Sequence, residues 1–128
     1  MFAGMPAILT GFKKNAFSIS INQKITRSSG QSQTEFMANL GMISLGFKQP
    51  SRVFREVLQS CENYTCALDT LSNTPMVAAS FIALTGTKDN EGVVISRNRT
   101  ASINNTYISE ENWYLVQTND DHYRGECK

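Results

Sequence analysis

The sequence lacks an excess of either charge: 12 lysines and arginines face 11 aspartates and glutamates, a formal net charge of +1. No global field is therefore available to hold nucleic acid or an anionic membrane, and any partner must be recognised by a local site. Long apolar runs are missing too. The longest, MVAASFIALTG (residues 76–86), falls far short of the roughly 20 residues that cross a bilayer, so it reads as a buried strand and no transmembrane segment is expected. The opening MFAGMPAILTG is apolar, but it has no basic flank and carries glycine and proline, so it does not read as a secretory signal. Strand-like sequence directly after Met1 reads as a chain that begins inside a fold.

Histidine and tryptophan occur once each, as His122 and Trp113. Neither CxxC nor Cys/His ligand spacing is present, so no metal and no cofactor is expected. Three cysteines cannot all pair. On one helix the separation of Cys61 and Cys66 would carry their Cα atoms beyond the ~7 Å limit for a bridge, whereas in a loop they could meet. At 128 residues the chain suffices for one domain with a real core and is too short for two, so residues 1–128 are taken as a single domain or part of one.

What is present reads as strands, then helices, then strands. AILTGF (7–12) and FSISIN (17–22), joined by KKNA, form an expected strand pair. Alternation puts Phe17, Ile19 and Ile21 on one face of the second strand, and Ser18, Ser20 and Asn22 on a polar face able to line a cleft. TRSSGQS (26–32) is loop chemistry. TEFMANLGMISLGF (34–47) spaces Phe36, Met37, Leu40 and Ile43 helically, with Ser32 or Thr34 as cap. SRVFREVLQS (51–60) is the clearest helix, with a Val53, Phe54, Val57, Leu58 stripe and Ser51 as the candidate cap. A further helix is expected over 64–71, stopped by SNTP, because Pro75 disfavours helix at the residue before it. Residues 76–86, the turn TKDNEG and VVISRNR (93–99) form an expected hairpin of buried strands, a polar link covers 100–105, and WYLVQTN (113–119) is the last expected strand. This order predicts an α+β domain with helices on one face of a mostly antiparallel sheet.

Three stretches together resemble one family: FAGMPAILTGFKKNAFSISINQK (2–24), EGVVISRNR (91–99) and WYLVQTNDDH (113–122). In order and approximate spacing they are similar to the acid ceramidase and N-acylethanolamine-hydrolysing acid amidase family. FAG, LTGFK and VQTN lean toward the ceramidase, VVISRNR toward the ethanolamine-amide enzyme. The resemblance implies an αββα N-terminal-nucleophile hydrolase sandwich, of which this chain is a partial domain from the β chain. It implies a cysteine thiolate that attacks an amide carbonyl, with its own α-amine handling the proton. Asn119 matches the asparagine of the family's oxyanion region. Gln23 stands in place of the family's glutamate, an amide that can hydrogen-bond but cannot be a charge partner. Asp120 and Tyr123 replace a tyrosine and a tryptophan of the family pattern. Ser20 and Asn22 are candidates for substrate binding. The family's nucleophile lies upstream of the FAG-like stretch and its Asp-Asp-Arg-Arg segment downstream of residue 128, so no thiol here is expected to replace it. Partners implied are an N-acyl lipid, the missing α chain and further β-chain segments, in a lysosomal or secreted protein. The alternative, which Gln23 favours, is a non-catalytic relative acting as a secreted binding module.

The remaining candidates have plainer readings. Asp120, Asp121 and His122 read as a solvated loop rather than ligands, Arg97 and Arg99 as solvated strand-end cations rather than an anion site. Trp113, Tyr114, Phe2, Met5, Ile8 and Leu9 read as core rather than an acyl pocket. Sequons stand at Asn63, Asn98 and Asn104, and three in so short a chain favour the secretory route. Asn63, between two helices, is expected to be the best used, with Asn98 packed at a strand end.

Overall fold

The computed structural model describes residues 8–24 and 32–119. Phe2, Met5, Asp120, Asp121, His122, Tyr123 and Cys127, together with the side chains of Ser32, Thr34 and Phe36, lie outside the described residues. Strands β1 (Thr10–Lys13), β2 (Phe17–Gln23), β3 (Ser80–Thr85), β4 (Gly92–Arg97) and β5 (Ser102–Tyr107) form one sheet in chain order, each neighbouring pair antiparallel. Helices α1 (Ser32–Ser44), α2 (Pro50–Ser60) and α3 (Tyr64–Asn73) lie between β2 and β3 in the chain. The expected α+β arrangement is therefore observed.

Alternation in the strands decides which face the helices cover. Phe17 and Ile19 of β2, Ile82 and Leu84 of β3, and Val93 and Ile95 of β4 pack with Val53, Phe54 and Val57 of α2 and Tyr64, Ala67 and Leu71 of α3. All these positions are buried, and burial of each valine, isoleucine, leucine or phenylalanine among them stabilises by roughly 1.5–3 kcal/mol. The α2 stripe is the one expected from sequence, but the helix begins one residue earlier. Pro50 occupies the first turn, where its missing N–H is not needed, and Gln49 takes the cap position without a side-chain hydrogen bond, in place of Ser51. The stripe of α1 does not reach the core: Met37, Leu40 and Ile43 are exposed.

Cys61 caps the C-terminus of α2 and Cys66 lies in the first turn of α3, so the two are on different helices and their Cα atoms approach to 5.4 Å in a disulfide. Closing so short a loop contributes roughly 2 kcal/mol by restricting the unfolded chain. Asn63 caps α3, its Oδ1 accepting from the Cys66 backbone N–H at 2.9 Å.

Several expectations are corrected, among them that Arg99 is a solvated cation: it is half-buried, its guanidinium donating to the Val77 carbonyl and to Asn39 Oδ1 at 2.9 Å each. Arg97 is not solvated but fully buried on the helix-packed face, where its guanidinium donates to the carbonyls of Leu71, Thr74 (2.5 Å) and Asn98 (3.2 Å). Two of those carbonyls lie at the C-terminal end of α3, which lacks intrahelical donors and carries the negative pole of the helix dipole. Burial lowers the Arg97 pKa to about 10, so it remains charged at neutral pH. The polar link 100–105 is largely strand: β5 pairs with β4 in the register Val93↔Tyr107 to Arg97↔Ser102, and an edge position tolerates its asparagines. Among the described residues, 112–118 make no ladder in spite of their strand-like composition, and Trp113 (76 % exposed) and Tyr114 (61 %) are surface rather than core. Leu9 is likewise exposed, whereas Ile8 packs partly against the core.

Two stability outcomes are expected. Arg97→Met leaves carbonyls at the end of α3 buried without donors, at about 1–3 kcal/mol each; urea unfolding should show a loss of about 2–4 kcal/mol, and a change below 1 kcal/mol would remove the clamp from the account. Tyr64 has a buried hydroxyl with no partner and a pKa raised from 10.0 to about 12, by burial first and then by the nearby Tyr107 and Glu91 charges. The unfolded chain therefore loses this proton first as pH rises, and the tyrosine costs stability between its unfolded and folded values. Arg97 acts with the opposite sign in that window, so the pairwise comparison is the informative one. Tyr64→Phe should be equally or more stable at neutral pH and should gain on the wild type above pH 10; parallel curves up to pH 12 would contradict the assignment.

Candidate functional site

The sheet face turned away from α2 and α3 carries Ser18, Ser20 and Asn22 of β2. Register aligns Asn22 with Phe81, Phe81 with Ser96 and Ser96 with Asn104, and in the next row Ser20 with Ala83, Ala83 with Val94 and Val94 with Thr106. The chain turns after β5, Ile108 donating to the Gly92 carbonyl and Ser109 to that of Asn112, and residues 113–118 then return over this face. Their position is marked by the Asn22 side-chain amide, which donates to the Gln117 carbonyl at 3.3 Å. A cavity of about 220 Å³ lies between, lined by Ser20, Asn22, Phe81, Ala83, Val94, Leu115 and Gln117.

Phe81 (1 % exposed), Val94 and Ala83 make an apolar floor, and the serine, asparagine and glutamine provide hydroxyl and amide groups at its rim. Beside it, Lys24 Nζ donates to Ser96 Oγ at 3.1 Å and stands 4.9 Å from the Phe81 ring centroid, so the neighbouring charge is positive. Among the described residues, no thiol, imidazole or carboxylate lines it. Such a set can hold an apolar chain and polarise a carbonyl, but it contains no nucleophile paired with a base. Cys61 and Cys66 are bonded to each other on the helix side.

Of the residues singled out in the sequence, Ser20 and Asn22 are brought together. Ser18 shares their face, but its hydroxyl is 2.5 Å from that of Thr85 and it lines a separate groove beside Gly11 and Leu58. Asn119 is exposed at the end of the described segment, two residues beyond Gln117. Gln23 alternates with Asn22 and pairs opposite Ser80, which places it on the helix-packed side of the sheet and apart from Ser20 and Asn22. Sequence reasoning missed Lys24, Phe81, Ala83, Val94, Leu115 and Gln117. Reading 76–86 as one continuous buried run hid the period-two pattern that directs Phe81 and Ala83 away from the helices. Asn63, Asn98 and Asn104 are all exposed, so the expected packing of Asn98 is not observed.

One helical layer on an antiparallel sheet, with amide and hydroxyl groups gathered on the other face, is one α+β half of the αββα sandwich of an N-terminal-nucleophile hydrolase. No protein-family model matches the chain. An N-acylethanolamine-hydrolyzing acid amidase of Caenorhabditis elegans is 37 % identical over 127 residues, which cover 96 % of this chain and 34 % of that protein. Acid ceramidases of Mus musculus and Homo sapiens are each 32 % identical over 130 residues, covering 96 % of this chain and 31 % of theirs. A solved structure of a C. elegans N-acylethanolamine-hydrolyzing acid amidase ortholog superposes with a TM-score of 0.79 at 32 % identity, over 96 % of this chain and 51 % of that one. The chain is thus a homologue of the N-acylethanolamine-hydrolyzing acid amidases and acid ceramidases, and it spans about a third of the length of these relatives.

The placement of residues 113–118 is testable through Asn22. Asn22→Asp removes the amide donor and sets a carboxylate against the Gln117 carbonyl. Hydrogen exchange at Leu115 and Gln117 should then accelerate, while amides in the β3–β4 ladder stay protected. Unchanged exchange at 115–117 would show that this bond does not hold the segment.

Proposed function

We propose that the chain is a portion of a lipid amidohydrolase that cleaves an N-acyl lipid, a ceramide or an N-acylethanolamine, to a fatty acid and an amine in an acidic, lysosome-like compartment. The observation that carries this reading is the cavity with an apolar floor and a rim of Ser20, Asn22 and Gln117, in a chain homologous to two amidase groups over 96 % of its length. An acyl chain suits the Phe81, Ala83 and Val94 floor, and the amide to be cleaved suits the polar rim.

In this reading the chain supplies binding and oxyanion stabilisation, with Asn119 donating its side-chain N–H groups to the developing oxyanion. Asn22 and Ser20 orient the amide group. Lys24, with its positive charge beside the rim, favours the carboxylate of the released acid. Gln23 stays outside this set because strand alternation assigns it to the other face. The nucleophile is assigned to a cysteine outside these 128 residues, since Cys61 and Cys66 are joined and Cys127, far along the chain, cannot use its own α-amine as an N-terminal cysteine would. The thiolate adds to the amide carbonyl, the amine leaves with a proton, and water releases the acid from the thioester.

The test is complementation. Purified chain incubated with a fluorogenic ceramide and a fluorogenic acylethanolamine at acid and neutral pH should show no turnover. The chain co-expressed with the nucleophile-bearing part of the C. elegans relative should hydrolyse at least one of them. Asn119→Ala in that complex should lower kcat by roughly 10²–10³ with little change in KM. A complex that is assembled but inert, or turnover by the chain alone that survives serine at Cys61, Cys66 and Cys127, would overturn the proposal.

A further inference from the structure

The three sequons occupy three different backbone settings. Asn63-Tyr64-Thr65 opens α3: Asn63 caps the helix, Tyr64 is buried beneath it, and Thr65 is in the first turn. Asn104-Asn105-Thr106 lies within β5, its residues registered against Val94, Ile95 and Ser96 of β4. Asn98-Arg99-Thr100 lies in the loop between β4 and β5, in neither helix nor strand.

Local hydrogen bonds distinguish the third further. Asn98 Oδ1 accepts from the Thr100 N–H at 2.8 Å, the Thr100 hydroxyl at 2.8 Å and the Ala101 N–H at 2.9 Å, an Asx turn that brings the asparagine and the sequon hydroxyl together. Asn98 and Thr100 are exposed. The middle residue points the other way, the Arg99 guanidinium donating to the Val77 carbonyl and to Asn39 Oδ1, each at 2.9 Å. The loop is thereby anchored from within while both side chains that define the sequon face outward. Among the described residues the Asn98 side-chain nitrogen donates to no acceptor.

Glycosyl transfer joins the asparagine Nδ2 to the anomeric carbon of a lipid-linked oligosaccharide. The lipid diphosphate leaves with the bonding pair, and an Nδ2 proton passes to a base of the transferase. The enzyme must hold Asn and the +2 hydroxyl on one side of a segment whose backbone it can enclose. At Asn63 that requires unwinding the start of α3 and exposing Tyr64, and at Asn104 it requires stripping a strand from the sheet. At Asn98 no helix or strand must be opened, only the short turn and the bonds that hold the Asn98 and Arg99 carbonyls to Arg97 and Met76. We infer that Asn98 is an N-glycosylation site open to the transferase in the folded chain, and that Asn63 is open only before α3 forms and Cys61 joins Cys66. This assignment is independent of the amidase reading.

The experiment uses the unmodified full chain from a bacterial host, folded and with its Cys61–Cys66 bridge verified by intact mass. It is incubated with a purified oligosaccharyltransferase and a lipid-linked oligosaccharide, in parallel with chain that has been reduced and denatured. Glycosidase release in heavy-oxygen water marks each vacated asparagine as a labelled aspartate, located by fragment-ion mass spectrometry. In the folded chain the label is expected at Asn98 alone, lost in Thr100→Val and kept in Thr100→Ser. In the reduced chain it should appear at Asn63 as well. Label at Asn63 or Asn104 in folded, bridged chain, or a folded wild-type chain unlabelled at Asn98, would overturn the inference.

Discussion

A buried guanidinium holds the two layers of this chain together. Arg97 has no carboxylate among its hydrogen-bond partners; it is satisfied by main-chain carbonyls, two of them where α3 runs out of its own donors. A cation in that position answers both an unmet hydrogen-bonding demand and the negative end of the helix dipole. A buried charge without such donors and acceptors around it would be costly. The contact also fixes geometry. It ties the last turn of α3 to the end of β4, one residue before the Asn98 loop, and the Arg99 carbonyl accepts from Met76 directly after Pro75. The helix end, the approach to β3 and the β4–β5 connection therefore meet at one point.

With the helices fixed to one face by that contact, by the Cys61–Cys66 bridge and by the packed apolar residues, the opposite face of the sheet becomes the only place where β2 can present its serines and asparagine. The division follows from the period of two along each strand. Ile19 and Leu84 point toward α2 and α3, while Ser20 and Ala83, their chain neighbours, point into the cavity. Gln23 shows how strict the rule is. It is the position at which the chain departs from the carboxylate of its family pattern, yet the backbone assigns it to the side away from Asn22.

Much of this was legible in the residues. The spacing of Val53, Phe54 and Val57 marked α2, Pro75 marked the end of α3, and FSISIN announced a strand with one polar face. What was not legible depended on partners distant in sequence. SINNTY has the composition of a loop, and it becomes β5 because the unpaired edge of β4 offers it a ladder. WYLVQTN has the composition of a strand, yet propensity for extended backbone creates no hydrogen-bonding partner, and among the described residues this segment takes no place in the sheet. Arg97 resembled any strand-end arginine. Only the arrival of α3 above it, more than twenty residues earlier in the chain, makes it a buried clamp.

That residues 112–118 form no ladder with other described residues bears on what the site can do. A sixth strand would be fixed by regular backbone bonds at the spacing of a sheet, and its side chains would alternate rigidly. This segment instead crosses the polar face of the sheet, with Leu115 and Gln117 closing the cavity over Phe81 and Val94 and the Asn22 amide reaching up to the Gln117 carbonyl. Side-chain contacts with the same residues that a bound acyl chain would touch therefore contribute to its height above the floor. Under the proposed function, filling the cavity and positioning Asn119 become a single event: a chain that packs on the floor and supports Leu115 also steadies the residues leading to the oxyanion donor. Binding energy from the unreactive part of the substrate would then be used at the reacting centre, as amide hydrolysis requires.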